Sequence, residues 1–421
     1  MSKVAATRQQ IGIGSCRISD RAKQLVMEVL ESNRLSAGPM IDRFEREIAS
    51  LHARRYGLFT NSGTSALQIA LAALKEREGW RDGDEVLVPA LTFVATSNVV
   101  LYNGLTPVFV DVEPGRFCID PAQIERHITP RTRAIMPVHI GGLPCDMDPV
   151  LDIARRRNLR LVEDSAETMF ARYKGRPVGS MSDIGCFSTY VAHIITTGVG
   201  GLCVTDDPEL IVMLKSLMNH GRDSIYTRID DDAGREGDAL FEIADRRFRF
   251  VRFGYSYRCT EMEAALGLAQ LETHRADWAR RSAVSARLTD GLRSLDDALQ
   301  LPVGREGAEH AWMFYPLVLR EPGIDRAALI QYLENHQIET RYLLPLLNQP
   351  VYQQVFGDLE PRYPVAAALN RRAFYIGCHA GMTDEEVDHV IDTFQRFFRT
   401  QDRKSTRLNS SHVSESRMPS S

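Results

Sequence analysis

The chain has 421 residues, of which 44% are hydrophobic and 25% are charged, and its formal net charge is −4. These values are typical of a soluble globular protein of two or three domains, and without a basic excess they argue against a nucleic-acid partner. No apolar run reaches the roughly 18 residues of a membrane span, and the N-terminus has no apolar signal core, so we expect no membrane partner. The seven cysteines are scattered, which favours a cytoplasmic location over a disulfide framework.

The first 205 residues alternate between helical and strand patterns. Residues 19–55 predict two helices separated by a turn, and residues 56–74 predict a strand, a turn of small residues and an Ala- and Leu-rich helix. Short β-branched apolar segments follow, with helices between them, as expected for strands buried on both faces. The last two candidate strands are CFSTY and GGLCVTDD. This alternation predicts an α/β fold with a mostly parallel sheet.

The second half of the chain predicts a long linker and a smaller domain. Residues 222–250 are polar and irregular, which indicates either a lid or a plain solvated loop. Residues 261–292 predict one long helix or a broken helix pair. The final helix begins with a predicted capping box of Thr383 and Glu386. We therefore expect a large domain at residues 1–270, a small α+β domain at 271–400, and a disordered or non-native tail at 401–421.

Three segments could carry chemistry, although the sequence contains no metal-binding, P-loop or dinucleotide motif and we expect no metal site. The turn at residues 61–65 leads into a helix N-terminus, which suits a phosphate group. Asp164 ends an apolar strand, where α/β proteins bind ligands. His193 lies in a hydroxyl-rich segment followed by a Thr- and Gly-rich loop. Taken singly, a helix cap or a structural histidine explains each of them at least as well.

Taken together, in this order and spacing, these segments resemble the DegT/DnrJ/EryC1/StrS family of pyridoxal-phosphate (PLP) dependent sugar aminotransferases, from about residue 10 to 398. The resemblance implies PLP-transferase fold type I, with a large domain around a mostly parallel mixed sheet and a small α+β C-terminal domain. Further matching stretches are GP at 38–39, VP at 88–89, TFVAT at 92–96, VHIGG at 138–142, EDSA at 163–166, TTG at 196–198, GR at 221–222 and YSYR at 255–258.

The resemblance also implies how the cofactor is held. Gly63 and Thr64 would bind its phosphate, helped by the Ser188 hydroxyl. Phe93 would stack on the pyridine ring. Asp164 would pair with the ring nitrogen and keep it protonated, which makes the ring an electron sink.

Four further residues have implied or candidate roles. Glu167 would reach the phenolic oxygen of the cofactor, where many family members have Gln. Ser256 stands where the family usually has an Asn that reaches the phosphate of the neighbouring subunit, which implies a homodimer with shared active sites. His220 and Arg341 are weak candidates for sugar or phosphate contacts, and a surface or structural role explains each of them at least as well.

The decisive departure from the family is His193, which stands where the family carries its Schiff-base lysine. No lysine lies between Lys174 and Lys215, so a small shift of register cannot supply one. Imidazole cannot form that covalent link, so PLP or pyridoxamine phosphate (PMP) would be held non-covalently. Imidazole can instead act as a general base near neutral pH. This pattern resembles a small branch of the family, the nucleotide-sugar 3-dehydratases such as GDP-4-keto-6-deoxymannose 3-dehydratase.

In that branch, PMP condenses with a nucleotide-linked 4-keto-6-deoxyhexose, the histidine removes a proton from the cofactor's C4′ carbon, and the C3 hydroxyl leaves. The resemblance implies glutamate as amine donor and a place in deoxysugar biosynthesis, such as that of lipopolysaccharide O-antigen. Some relatives bind a [2Fe–2S] cluster through a C-x-C pair, which is absent here, so we predict no iron–sulfur cluster. Two alternatives stay open because Val199 and Ser256 also depart from the family: an aminotransferase with altered chemistry, and a non-catalytic sensor or partner subunit.

Overall fold

The computed structural model describes residues 10–223, 230, 232–320 and 324–415, with side chains up to residue 400. The strands are β1 (Tyr56–Thr60), β2 (Glu85–Pro89), β3 (Thr106–Val110), β4 (Thr132–Ile135), β5 (Arg160–Asp164), β6 (Arg172–Tyr173), β7 (Arg176–Pro177), β8 (Ile184–Ser188), β9 (Gly201–Thr205), β10 (Leu299–Gln300), β11 (Phe314–Leu319), β12 (Thr340–Tyr342) and β13 (Ala373–Gly377). The α-helices are α1 (Asp20–Ser32), α2 (Pro39–Leu51), α3 (Gly63–Glu78), α4 (Val94–Tyr102), α5 (Pro121–Ile124), α6 (Met147–Arg157), α7 (Pro208–Met218), α8 (Gly237–Arg246), α9 (Glu261–Leu271), α10 (His274–Leu292), α11 (Arg326–Asn335), α12 (Pro350–Phe356), α13 (Pro364–Arg372) and α14 (Asp384–Glu415).

Seven strands form the large sheet, in the order β1-β9-β8-β5-β4-β2-β3. Strand β9 is antiparallel to both of its neighbours, and the other strands are parallel to one another. Every residue of β2, β8 and β9 is buried, which explains their continuous apolar runs. The prediction of an α/β fold with a mostly parallel mixed sheet is confirmed.

A second, antiparallel sheet lies in the C-terminal part of the chain, in the order β10-β11-β13-β12. Its core contains Leu288 of α10, Phe374 of β13 and Phe394 of α14. Ile11 also belongs to this core, and its backbone forms a parallel bridge with Ile338. The N-terminal segment therefore packs with the second sheet, and the predicted division at residue 270 stays a prediction.

Three segments of the second half refine the expectations from sequence. The region 261–292 is a broken helix pair, α9 and α10. Residues 222–250 are not a plain loop, because α8 lies within them; residues 224–229 and 231 lie outside the described residues. The predicted capping box at the start of α14 is present: the Thr383 N–H donates to Glu386 (2.8 Å) and the Glu386 N–H donates to the Thr383 hydroxyl (3.2 Å).

The helix α14 continues past residue 400 to Glu415, and the expectation of a disordered or non-native tail at 401–421 stays a prediction. Residues 401–415 contain neither Pro nor Gly, the residues least compatible with a helix interior. Residues 416–421 lie outside the described part of the chain. Within that part, none of the helices has the length and apolar character needed to cross a bilayer.

Candidate active site

A cleft of about 360 Å³ lies at the edge of the large sheet where the parallel strands end, which is the usual position of ligands in open α/β folds. It is lined by seven of the residues expected to act in the site: Gly63, Thr64, Phe93, Asp164, Glu167, Ser188 and His193. The structure thus brings the three separate sequence segments to one place. The roles of these residues stay predictions.

One end of the cleft is formed by the N-terminus of α3. Ser62 caps this helix by accepting a hydrogen bond from the Ser65 N–H at 3.0 Å. Gly63 is the first helical residue, and a Cβ atom added to it would lie only 2.7 Å from the Ser188 Cβ. Only glycine therefore lets the helix start approach β8 so closely. Backbone N–H groups at a helix start, with nearby hydroxyls, favour a phosphate group.

Asp164 ends β5 and is 3% exposed. Its Oδ2 accepts a hydrogen bond from the Thr96 hydroxyl at 2.8 Å, and its Oδ1 accepts one from the Ala166 N–H at 3.2 Å. Burial raises the pKa of this carboxyl, while the two donors oppose the shift. A carboxylate has about four acceptor positions, so Asp164 keeps capacity for a cationic donor in the cleft.

Glu167 lies beside Asp164 in the cleft wall. Its Oε2 accepts a hydrogen bond from the Gly141 N–H at 2.7 Å. Burial raises the pKa of Glu167 to about 8, and the charge of Asp164 adds to the shift. Glu167 is therefore mostly protonated at neutral pH, so it can donate a hydrogen bond as the amide of a glutamine does.

Phe93 precedes α4 and is 59% exposed, although a phenylalanine usually packs into the core. Its ring lines the cleft rather than the interior. An aromatic side chain held open in this way offers a flat surface for stacking on a ring.

His193 lies in the loop between β8 and β9, on the wall that also contains Ser188. Its backbone N–H donates to the Tyr190 carbonyl at 2.8 Å, and the two rings meet edge to face with centroids 6.0 Å apart. The buried Nδ1 atom of His193 has no hydrogen-bond partner among the described residues. Burial lowers the pKa of His193 to about 4, so the imidazole is neutral at pH 7 and can accept a proton.

Three other predicted residues lie outside this cleft. Ser256 and His220 form a group with Arg258, whose Nη2 donates to the Ser256 hydroxyl at 3.0 Å and lies 3.2 Å from His220 Nε2. Arg341 is exposed on β12, where it forms an ion pair with Glu339. The described chain therefore does not bring these three residues to the cleft, and their roles stay predictions.

Several residues that shape the cleft had no role in the prediction from sequence. The Thr96 hydroxyl donates a hydrogen bond to the Asp164 carboxylate. The spacing of Thr92 and Thr96, four residues apart at the start of a helix, could have indicated from sequence that their hydroxyls meet. Met313, Leu344 and Tyr375 also line the cleft. They come from the region of the second sheet, and no local pattern in the sequence relates them to Asp164.

A larger groove, of about 820 Å³, lies at the opposite edge of the large sheet, near the starts of β4 and β5. Its arginines include Arg133, which pairs with Asp84 at 2.9 Å, and Arg160, which pairs with Glu78 at 2.9 Å. Neighbouring acids thus neutralise these charges. The smaller cleft is the better candidate, because its buried groups keep unused hydrogen-bonding capacity.

Within the described residues, no group of three or more His, Cys, Asp or Glu side chains is arranged to hold a metal ion. Cys16 is exposed, and the other six cysteines are buried as free thiols.

The comparisons with known proteins agree over most of the chain. Residues 17–395 match the DegT/DnrJ/EryC1/StrS aminotransferase family. A GDP-perosamine synthase from Caulobacter vibrioides is 35% identical over 385 residues, which cover 91% of this chain and 96% of the relative. A dTDP-4-dehydro-2,6-dideoxy-D-glucose 3-dehydratase from Saccharopolyspora spinosa is 35% identical over 402 residues, which cover 91% and 85% of the two chains.

The fold resembles a solved GDP-4-keto-6-deoxymannose-3-dehydratase that holds a trapped PLP–glutamate geminal diamine. The TM-score is 0.81 at 26% identity, over 91% of this chain and 99% of that one. The relatives thus include 3-dehydratases within a family described by aminotransferase activity. The chain belongs to the DegT/DnrJ/EryC1/StrS family of PLP-dependent sugar aminotransferases and has the fold-type I architecture.

Proposed function

We propose that the protein is a PLP/PMP-dependent nucleotide-sugar 3-dehydratase that removes the C3 hydroxyl from a nucleotide-linked 4-keto-6-deoxyhexose, with His193 as the base. One observation carries this proposal. The cleft wall holds a neutral imidazole with an unpartnered buried nitrogen, and no lysine is among the lining residues described. A side chain that can move a proton therefore stands where a covalent anchor is expected.

The side chains around the cleft fit a pyridoxal cofactor. The helix start at Gly63, with Thr64 and the Ser188 hydroxyl, suits its phosphate. Phe93 offers a stacking face, and Asp164 keeps acceptor capacity for a protonated ring nitrogen. Each contact is non-covalent, as the absence of a lysine in the lining requires.

When bound, PMP would supply an amino group for the sugar's 4-keto carbon and a ring that can accept electrons. His193 in its neutral form would take a proton from the cofactor's C4′ carbon. The imidazolium formed can return this proton to the departing C3 hydroxyl oxygen, which leaves as water. Glu167 would hold its proton toward the phenolic oxygen, and Asp164 would keep the ring nitrogen protonated.

We also infer that glutamate restores the PMP form, which the trapped PLP–glutamate adduct of the related 3-dehydratase supports. This route needs no iron–sulfur cluster. We place the enzyme in the cytoplasm, in deoxysugar biosynthesis of the kind that supplies lipopolysaccharide O-antigen. A homodimer would let Ser256 serve the cleft of a second subunit, and its position outside the cofactor cleft of its own chain supports this arrangement.

The product mass tests the proposal. The purified protein is mixed with PMP, glutamate and GDP-, CDP- or dTDP-linked 4-keto-6-deoxyhexoses. We expect a sugar product that has lost one oxygen, with 2-oxoglutarate and ammonia formed in equal amount, because hydrolysis of the sugar–nitrogen bond releases the amino group that glutamate supplied. An amino sugar would show an aminotransferase instead, and cofactor binding without either product would show a sensor or partner subunit.

Borohydride trapping tests the absence of a covalent anchor. Reduction of the PLP-loaded wild type should leave the protein mass unchanged. His193→Lys should gain one reduced cofactor, whereas His193→Gln, which has no amine, should not. A labelled peptide from the wild type would contradict the place of His193 in the site.

A further inference from the structure

We propose that Thr96, itself oriented by Thr92, is a positioning residue that turns the free face of the Asp164 carboxylate toward the cofactor's pyridine nitrogen. This inference rests on the proposed function, because it requires the cleft to bind the cofactor with Asp164 at the ring nitrogen. The inference gives Thr92 and Thr96 a role in the site. It also assigns the donor and the acceptor in the hydrogen bonds that join Thr92, Thr96 and Asp164.

The direction follows from the three atoms in contact. The Thr96 hydroxyl donates to Asp164 Oδ2 at 2.8 Å, and the Thr92 and Thr96 hydroxyl oxygens lie 2.8 Å apart. A hydroxyl has one proton, so Thr96 cannot donate to both neighbours. Thr92 therefore donates to Thr96, and Thr96 donates to Asp164. Both threonines are 1% exposed, which leaves little access for water to replace either bond.

Glu163, the residue before Asp164, shows what a fully satisfied carboxylate looks like here. It accepts hydrogen bonds from the Gly179 and Met181 N–H groups and the Ser182 hydroxyl, at 2.7–2.9 Å. A fourth comes from His139 Nε2 at 3.1 Å. The Cys145 N–H donates to the other ring nitrogen of His139, so Nε2 must carry the proton.

Asp164, in contrast, accepts from only two groups of the described part of the chain, one on each oxygen. Thr96 and Ala166 fix the rotation of the carboxylate, because each occupies one oxygen. Asp164 lines the cleft, so its remaining lone pairs are available to a ligand there. Thr96 thus sets the orientation in which Asp164 meets a cationic partner.

The same short segment carries the stacking residue. Phe93 lies between Thr92 and Thr96 and is the N-cap residue of α4. The two threonines therefore tie the backbone of the Phe93 segment to Asp164 at the end of β5. One planar ligand would contact both, with its face on Phe93 and its edge nitrogen on Asp164, so their relative position matters for binding.

Three variants test Thr96. Thr96→Val keeps the shape but removes the donor, and Thr96→Ser keeps the donor. Thr393→Val removes a buried hydroxyl whose hydrogen bonds to described residues lie within α14. The readouts are the PLP dissociation constant and the ¹⁵N chemical shift of bound ¹⁵N-PLP across pH. Loss of a hydrogen bond to a charged group predicts about tenfold weaker binding for Thr96→Val, and a less protonated ring nitrogen.

Thr96→Ser should restore both values, and Thr393→Val should leave both unchanged. Thr92→Val should have a smaller effect than Thr96→Val, because Thr96 can still donate to Asp164 without it. An unchanged nitrogen shift and affinity in Thr96→Val would overturn the inference. Asp164→Asn separates this outcome from failure of the proposed function: if the wild type binds no PLP, or Asp164→Asn binds it as tightly, the site assignment itself is wrong.

Discussion

The two walls of the cleft are built differently. The Asp164 wall is the buried end of β5, with hydrogen bonds to each carboxylate oxygen. The His193 wall is the loop between β8 and β9, where Tyr190 and Val199 are about half exposed and the His193 Nδ1 has no partner among the described residues. A network of hydrogen bonds holds a group still, whereas an unpartnered nitrogen can take and release a proton. We therefore expect the first wall to determine cofactor binding and the second to determine turnover.

The largest effect should come from a change in the His193 wall. His193→Asn should lower the rate of sugar deoxygenation by about 10²–10⁴-fold, the usual contribution of a general base. Affinity for PMP should change far less, because the other cofactor contacts stay in place. The rate is measured by product mass and the affinity by titration.

The control for this experiment is His379→Gln, which removes another buried histidine, one that bonds the Gly12 carbonyl. It should retain turnover. If His193→Asn lowered the PMP affinity as much as the deoxygenation rate, the two walls would not have the separate roles that we propose.

The next largest effect should come from the Asp164 wall, where cofactor affinity should fall more than the rate of turnover. Asp164→Asn should weaken PLP binding by on the order of 10²-fold, because a neutral amide cannot compensate a buried cationic nitrogen. Equilibrium dialysis measures this loss. If PLP still binds as tightly and only turnover falls, Asp164 acts in turnover as His193 does. The two walls would then not have separate roles.

Glu167, on the buried side of the cleft, should make the stability of the protein depend on pH. Its folded-state pKa of about 8 lies above the ordinary 4.5, so the unfolded chain loses this proton at lower pH than the folded protein. Without cofactor, wild-type stability therefore falls as pH rises from about 4.5 to 8. Glu167→Gln removes this loss and should be more stable than the wild type at pH 8 by on the order of 3 kcal/mol, but not at pH 5.

Urea denaturation at the two pH values measures the difference in the free energy of unfolding. The exposed Glu306→Gln should show the same change at pH 5 and pH 8. A Glu167→Gln protein that is destabilised equally at both values would mean that Glu167 is ionised in the folded state.

The smallest effect concerns the pH dependence of the loop wall. With a pKa near 4, His193 stays neutral well below the ordinary value of 6.5. Its titration should therefore change kcat/KM less than about twofold between pH 7 and 5.5. A tenfold fall per pH unit that starts near 6.5, and that is absent from the residual rate of His193→Asn, would show that burial does not lower this pKa.

Much of the architecture followed from local patterns. The buried strands, the broken pair of α9 and α10 and the capping box of Thr383 and Glu386 depend on neighbouring residues, which periodicity and caps reveal. The helix α8 within residues 222–250 was missed, because its polar surroundings resemble a loop. The meeting of the seven candidate residues in one cleft was expected from the family resemblance, and for Asp164 also because parallel strands end at one edge of a sheet.

The order of residues shows which chemical groups are available: a carboxylate at a strand end, small residues at a helix start, and a histidine in place of a lysine. How those groups behave depends on the folded arrangement around them. The bond from Thr96 to Asp164, the pKa of Glu167 near 8 and the entry of Tyr375 into the cleft arise between segments far apart in the chain. Burial and hydrogen bonding across such distances shift a pKa and orient a carboxylate, and no local pattern of residues records them.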